Sequence, residues 1–250
     1  MNISILGKWS PLYLAVTTVL ACSLAPTPAT NADTNEIPGI SGMAPLTGNS
    51  YLMVQDTKAH KKGHRTGILT ILDDGPNSYK ALDVDVLDKG DDRASDLEAL
   101  HIIPGKPGHF LAAESGRRDL GPGRIFHLAY DEDDSKLSVI GDWPVATRIE
   151  KPMEWGLGKG DNYEGLVCIP LDGERYQLVL GERGRSKAHA RGALITGILD
   201  LGEGTLAWQP ASTDLELSSP GRWINPKGPR DIGDLGYDER DQSSWTAATE

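Results

Sequence analysis

The chain has 250 residues, 25 Lys+Arg against 36 Asp+Glu, and a formal net charge of -11. Its 29 Gly and 16 Pro make 18% of the chain, against roughly 12% in average usage, yet 38% hydrophobic residues suffice for a packed core. The acidic balance argues against a general nucleic-acid binder, which needs a basic surface, and two cysteines cannot build a disulfide scaffold.

The first element reads as an export signal, with an uncleaved anchor as the competing reading. Lys8 supplies a thin positive region, and Pro11 to Ala21 form an apolar stretch too short for the roughly 20 residues of a spanning helix. Two cleavage sites compete. Val19-Leu20-Ala21-Cys22 has the shape of a lipobox, which would make Cys22 a lipidated N-terminus. Thr30-Asn31-Ala32 is a small-x-small site for ordinary release. The expected location is the periplasm, the outer membrane as a lipoprotein, or the medium, with membrane contact only through a lipid anchor. Residues 1–32 are set apart on this reading, and 33–250 form the folded part.

Four segments then align: Ile40-Ser41-Gly42-Met43, Leu97-Glu98-Ala99-Leu100, Tyr163-Glu164-Gly165-Leu166 and Ile232-Gly233-Asp234-Leu235, offset by 57, 66 and 69 residues. Each leads through a turn to a second apolar strand that closes on an acid. These strands are Tyr51 to Asp56, His109 to Glu114, Tyr176 to Glu182 and Trp245 to Glu250. Third strands follow at Gly67–Ile71, Arg124–Leu128 and Ala193–Thr196, and fourth strands at Tyr79–Val86, Leu137–Ile140 and Leu206–Trp208. Alternation of Leu82, Val84 and Val86 with Asp83 and Asp85 is a half-buried strand signature.

A four-stranded unit recurring at this scale predicts an all-β fold, a β-propeller of antiparallel blades. The competing reading is a β-sandwich with accidental similarity. Blades are expected over about 40–92, 95–150, 161–215 and 230–250. That is three blades plus half of a fourth, where closed propellers use roughly 4–8. An incomplete propeller is therefore expected: a truncated version of a longer protein, or one that closes with another chain.

Blade geometry puts the start of strand one and the end of strand two on one face. Glu98 and Glu164 are the candidate catalytic acids there. Asp56, Glu114 and Glu182 are candidate Ca²⁺ ligands, because a hard cation takes oxygen donors. The loops that follow them hold eleven of the 25 Lys+Arg. Lys61, Arg65, Arg117, Arg118, Arg183 and Arg185 are the candidate anion-binding residues, since arginine forks suit phosphate and carboxylate groups. The competing reading is that each acid salt-bridges the adjacent loop arginines and fixes the loop. No GxSxG, HExxH, P-loop or CxxC motif occurs.

Ser95-Asp96-Leu97-Glu98-Ala99-Leu100, Phe110-Leu111-Ala112-Ala113-Glu114-Ser115, Gly123-Arg124-Ile125-Phe126 and Asn162-Tyr163-Glu164-Gly165-Leu166 together resemble the phytase-like (esterase-like) β-propellers of exported bacterial proteins. The resemblance runs over roughly residues 38–250. It implies an exported propeller, with Glu98 and Glu164 at blade starts and Glu114 and Glu182 after strand two. Ser41 and Gly233 replace the glutamate in units one and four. The reading that follows is hydrolysis of an anionic ester or phosphoester with Ca²⁺ help. The alternatives are a non-catalytic propeller that binds an anionic glycan, a sugar phosphate or a protein partner, and a fragment without a function of its own.

Overall fold

The computed structural model describes residues 39–58, 61–75, 77–90, 93–116, 123–145, 162–183, 193–209, 231–238 and 243–249, the last two segments as backbone only. Blade 1 holds β1 (Ile40–Pro45), β2 (Ser50–Gln55), β3 (Thr66–Thr70) and β4 (Ser78–Leu82), followed by a single helical turn, α1 (Asp85–Asp88). Blade 2 holds β5 (Leu97–Ile102), β6 (His109–Glu114), β7 (Arg124–Asp131) and β8 (Lys136–Pro144). Blade 3 holds β9 (Tyr163–Pro170), β10 (Arg175–Glu182), β11 (Ala193–Asp200) and β12 (Thr205–Trp208). Two strands of a fourth blade are described, β13 (Asp231–Asp238) and β14 (Ser243–Thr249). Each sheet is an antiparallel meander in chain order, and the inner strands β1, β5, β9 and β13 lie side by side. The fold is all-β, built of propeller blades.

Burial explains the composition of the strands. In β6, Phe110 and Ala112 pack toward blade 1, against Leu52, Val54, Leu82 and Leu87. The alternate residues Leu111 and Ala113 pack toward blade 3, against Leu166, Cys168, Leu178 and Leu180. A strand covered on both faces needs an apolar residue at every position, so its period-2 signature disappears. Burial pushes the Cys168 thiol up to about 12, as expected of an inert buried cysteine. At the outer edge two tryptophans join blades 2 and 3. Trp143 Nε1–H donates to Gly204 O and Trp208 Nε1–H to Pro144 O, each at 2.9 Å.

One expected element is corrected. The strand anticipated over 79–86 ends at Leu82, and the chain turns into α1. Val84 and Leu87 are buried while Val86 is exposed. The Asp88 carboxylate accepts the Val84 N–H at 3.0 Å and the Arg65 N–H at 2.9 Å. The turn thus carries two apolar residues into the core between blades 1 and 2, which an extended chain would have split between two faces.

The inner strands approach closely because small residues lie at their start. A Cβ on Gly42 would come within 2.7 Å of the Leu100 nitrogen and 3.0 Å of the Ala99 carbonyl carbon. Those are backbone atoms of the neighbouring blade and cannot turn aside. Gly42→Ala is expected to lower stability by about 1–3 kcal/mol, measured by denaturant unfolding; an unchanged midpoint would contradict the close approach of β1 and β5.

Candidate active site at the blade starts

Every inner strand is interrupted at the same place. The register of β1 with β2 shifts between Ile40 and Gly42, that of β5 with β6 between Leu97 and Ala99, and that of β13 with β14 between Ile232 and Asp234. In blade 3, Tyr163 faces Glu182 and Gly165 faces Gly181. Ser41, Glu98, Glu164 and Gly233 are therefore the extra residues of four equivalent β-bulges. A bulge re-aims the side chain it carries.

The two glutamates sit in different surroundings. The Glu98 side chain is 12% exposed. Burial first, then the nearby Glu164 and Asp56 carboxylates, push it up to about 8, so it holds its proton at neutral pH. Glu164 accepts a hydrogen bond from Asn162 Nδ2 at 2.6 Å and pairs with Arg183 at 3.0 Å, both through Oε1. Ser41 stands at this position in blade 1 and donates its hydroxyl to Leu97 O and Val54 O.

Lys58 completes the cluster. Its ammonium pairs with Asp56 and Asp96 and lies 4.0 Å from Glu98 Oε1. Asp96 is 1% exposed and has φ 66°, a left-handed conformation that Asp tolerates better than most residues. Its N–H donates to Thr57 O at 3.2 Å, and its carbonyl accepts the Ser115 N–H at 2.9 Å. Its Oδ2 accepts the Ser115 hydroxyl at 3.0 Å. Asp96 thus ties the loop after β2 to the start of β5 and the end of β6. Asn162 holds the corresponding place in blade 3, where its carbonyl accepts the Arg183 N–H at 2.8 Å.

The register separates the expected ligand acids. Gln55, Glu114 and Glu182 are equivalent, opposite Ile40, Leu97 and Tyr163. Asp56 lies one residue further on and corresponds to Ser115 and Arg183. Glu114 is occupied as a structural group: it accepts the Ser95 N–H at 2.6 Å and both Nε and Nη2 of Arg124 at 2.8 and 3.2 Å. Glu182 is fully buried. The oxygens that converge are those of Asp56, Asp96 and Glu98, which lie within 4.8 Å of one another. The Lys58 ammonium already stands among them. A cation held by these three oxygens would have to displace the Lys58 ammonium from Asp56 and Asp96.

Arg65 is also corrected. It is fully buried, and its guanidinium donates to Ala94 O, Gly63 O, Lys58 O and Lys61 O. An arginine spent on backbone carbonyls builds the 57–66 loop and offers nothing to a soluble anion. Arg183 does reach the site, paired with Glu164, and Lys61 is exposed. Arg117, Arg118, Arg185 and Cys22 lie outside the described residues. Asp96 and Asn162 were not anticipated, although each stands two residues before its bulge glutamate in the sequence.

No family model matches the chain, and no curated protein does. Among solved structures, the periplasmic gluconolactonase of Pseudomonas aeruginosa is 13% identical with a TM-score of 0.45, over 83% of this chain and 65% of that one. An endo-arabinase of Bacteroides thetaiotaomicron is 13% identical with a TM-score of 0.39, over 67% and 59%. The chain spans less than two thirds of either.

A carboxyl group that titrates higher in the folded than in the unfolded chain binds its proton more tightly when folded. Its contribution is complete below the unfolded value of 4.5 and is lost as pH rises through about 8. Stability of the wild type is therefore expected to fall between pH 5 and 8 by an amount that Glu98→Gln abolishes. Equal slopes in urea titrations of the two proteins would show that Glu98 is not the group responsible.

Proposed function

We propose that the chain is an exported hydrolase acting on an anionic ester, with Glu98 as general acid and the Arg183-paired Glu164 as its partner. The observation that carries this reading is the contrast between equivalent positions in neighbouring blades. Glu98 keeps its proton at neutral pH, while Glu164 is paired with Arg183. A carboxyl group that burial pushes upward, beside one that a guanidinium pairs, suits the two roles of acid and base. Glu98 can protonate a leaving oxygen, and Glu164 can orient and deprotonate the attacking water.

The resemblance to phytase-like propellers points to phosphoesters as the first substrates to try. Arg183 would turn from Glu164 toward the substrate anion, with Lys61, Arg117, Arg118 and Arg185 supplying a surrounding positive field. Ca²⁺ enters only as a competitor of Lys58 for the Asp56, Asp96 and Glu98 oxygens. Export rests on the N-terminal signal, with Cys22 or Ala32 marking its end.

The test is hydrolysis of p-nitrophenyl phosphate, inositol phosphates and simple carboxylic esters by the purified full chain. Glu98→Gln should lower kcat/KM by about 10²–10⁴-fold. In the wild type kcat/KM should decline as pH rises through about 8, because the acid must carry its proton. Turnover no greater than that of Glu164→Ala would refute hydrolysis, and anion binding without turnover would favour a non-catalytic propeller.

A further inference from the structure

A second group of side chains lies outside this site, where the end of the 57–66 loop meets β4 and α1. His64 precedes β3, Asp83 follows β4, and Asp88 closes α1. His64 Nδ1 is 3.1 Å from Asp83 Oδ1 and 3.8 Å from Asp88 Oδ2, and the three donor atoms lie within 4.8 Å of one another. The imidazole is half-exposed, but its Nδ1 is sealed from solvent and makes no hydrogen bond. A buried ring nitrogen without a hydrogen bond beside two carboxylates offers three donor atoms to a cation, and the Arg65 guanidinium, 3.8 Å from Asp88 Oδ1, approaches only the other oxygen of Asp88.

We propose that His64, Asp83 and Asp88 form a binding site for a divalent transition metal ion of the zinc type. Zinc takes imidazole nitrogen and carboxylate oxygen at roughly 2.0–2.2 Å, so two ligands at a tetrahedral angle stand about 3.4 Å apart. The observed separations bracket that value. The mixed nitrogen and oxygen set selects against Ca²⁺, which takes oxygen alone. Asp88 is held in place from behind, since its two oxygens accept the Arg65 and Val84 N–H groups and still have lone pairs to offer. Such outer hydrogen bonds orient metal ligands. Asp83 is exposed and gives the ion its route in. The bound ion would clamp the loop that carries Lys58 to the outer strand of blade 1.

The experiment is calorimetric titration of the EDTA-stripped full chain with ZnCl₂ at pH 7, alongside thermal unfolding. One equivalent should bind, and saturation should raise Tm by about 5 °C or more. His64→Ala and Asp83→Asn should each weaken binding at least tenfold while leaving the metal-free Tm near that of the wild type, because both side chains are partly or largely exposed. Glu98→Gln should titrate as the wild type does. Absence of zinc uptake, undiminished uptake in His64→Ala and Asp83→Asn, or loss of uptake in Glu98→Gln would each overturn the proposal. The middle result would leave a simple imidazolium–carboxylate pair, and the last would place the ion at the blade-start cluster instead.

Discussion

A residue inserted into an inner strand has no partner across the ladder, and that fact governs the blade starts. Blade 2 is buried on both faces, so its paired residues are committed to packing. The bulge residue alone is released from this alternation. It can be Ser41, Glu98, Glu164 or Gly233 without altering the core behind it. The residue after it is small in the first three blades, Gly42, Ala99 and Gly165, which lets the inner strands converge. The same local irregularity therefore brings the blades together and turns a variable side chain out of their faces.

Why equivalent glutamates differ follows from one further register position, the residue just beyond the second strand. It is Asp56 in blade 1, Ser115 in blade 2 and Arg183 in blade 3. Arg183 gives Glu164 a cation from its own blade. Ser115 gives Glu98 none. The nearest cation to Glu98 among the described residues is Lys58 of blade 1, which is shared with Asp56 and Asp96. Burial then outweighs the remaining attraction, and the proton stays.

The repeat was legible because burial on two faces leaves short apolar runs of even length, and because the bulge motif recurs as Leu-Glu-Ala-Leu and Tyr-Glu-Gly-Leu. The start of each inner strand and the four-stranded order follow from those motifs. Register was not legible to one residue. Asp56 closes an apolar run just as Glu114 does, and only pairing reveals that Gln55 is its true counterpart. Arg65 was misread for a related reason. Charge predicts exposure on average, but a loop whose carbonyls turn inward needs a donor with several N–H groups, and a buried arginine supplies them. The helical turn at Asp85–Asp88 hid because Leu82, Val84 and Val86 alternate regardless of whether the chain is extended.

Asp96 links the electrostatics to the packing. Its left-handed backbone is unfavourable for a non-glycine residue, so something must hold it there. Thr57, Ser115 and Lys58 do so, and they come from two blades. The ammonium nearest Glu98 is thus positioned by a residue whose conformation exists only when blades 1 and 2 are docked. Burial and the Glu164 and Asp56 carboxylates push Glu98 up while Lys58 pulls it downward, so Glu98 and the groups that act on it come from three blades.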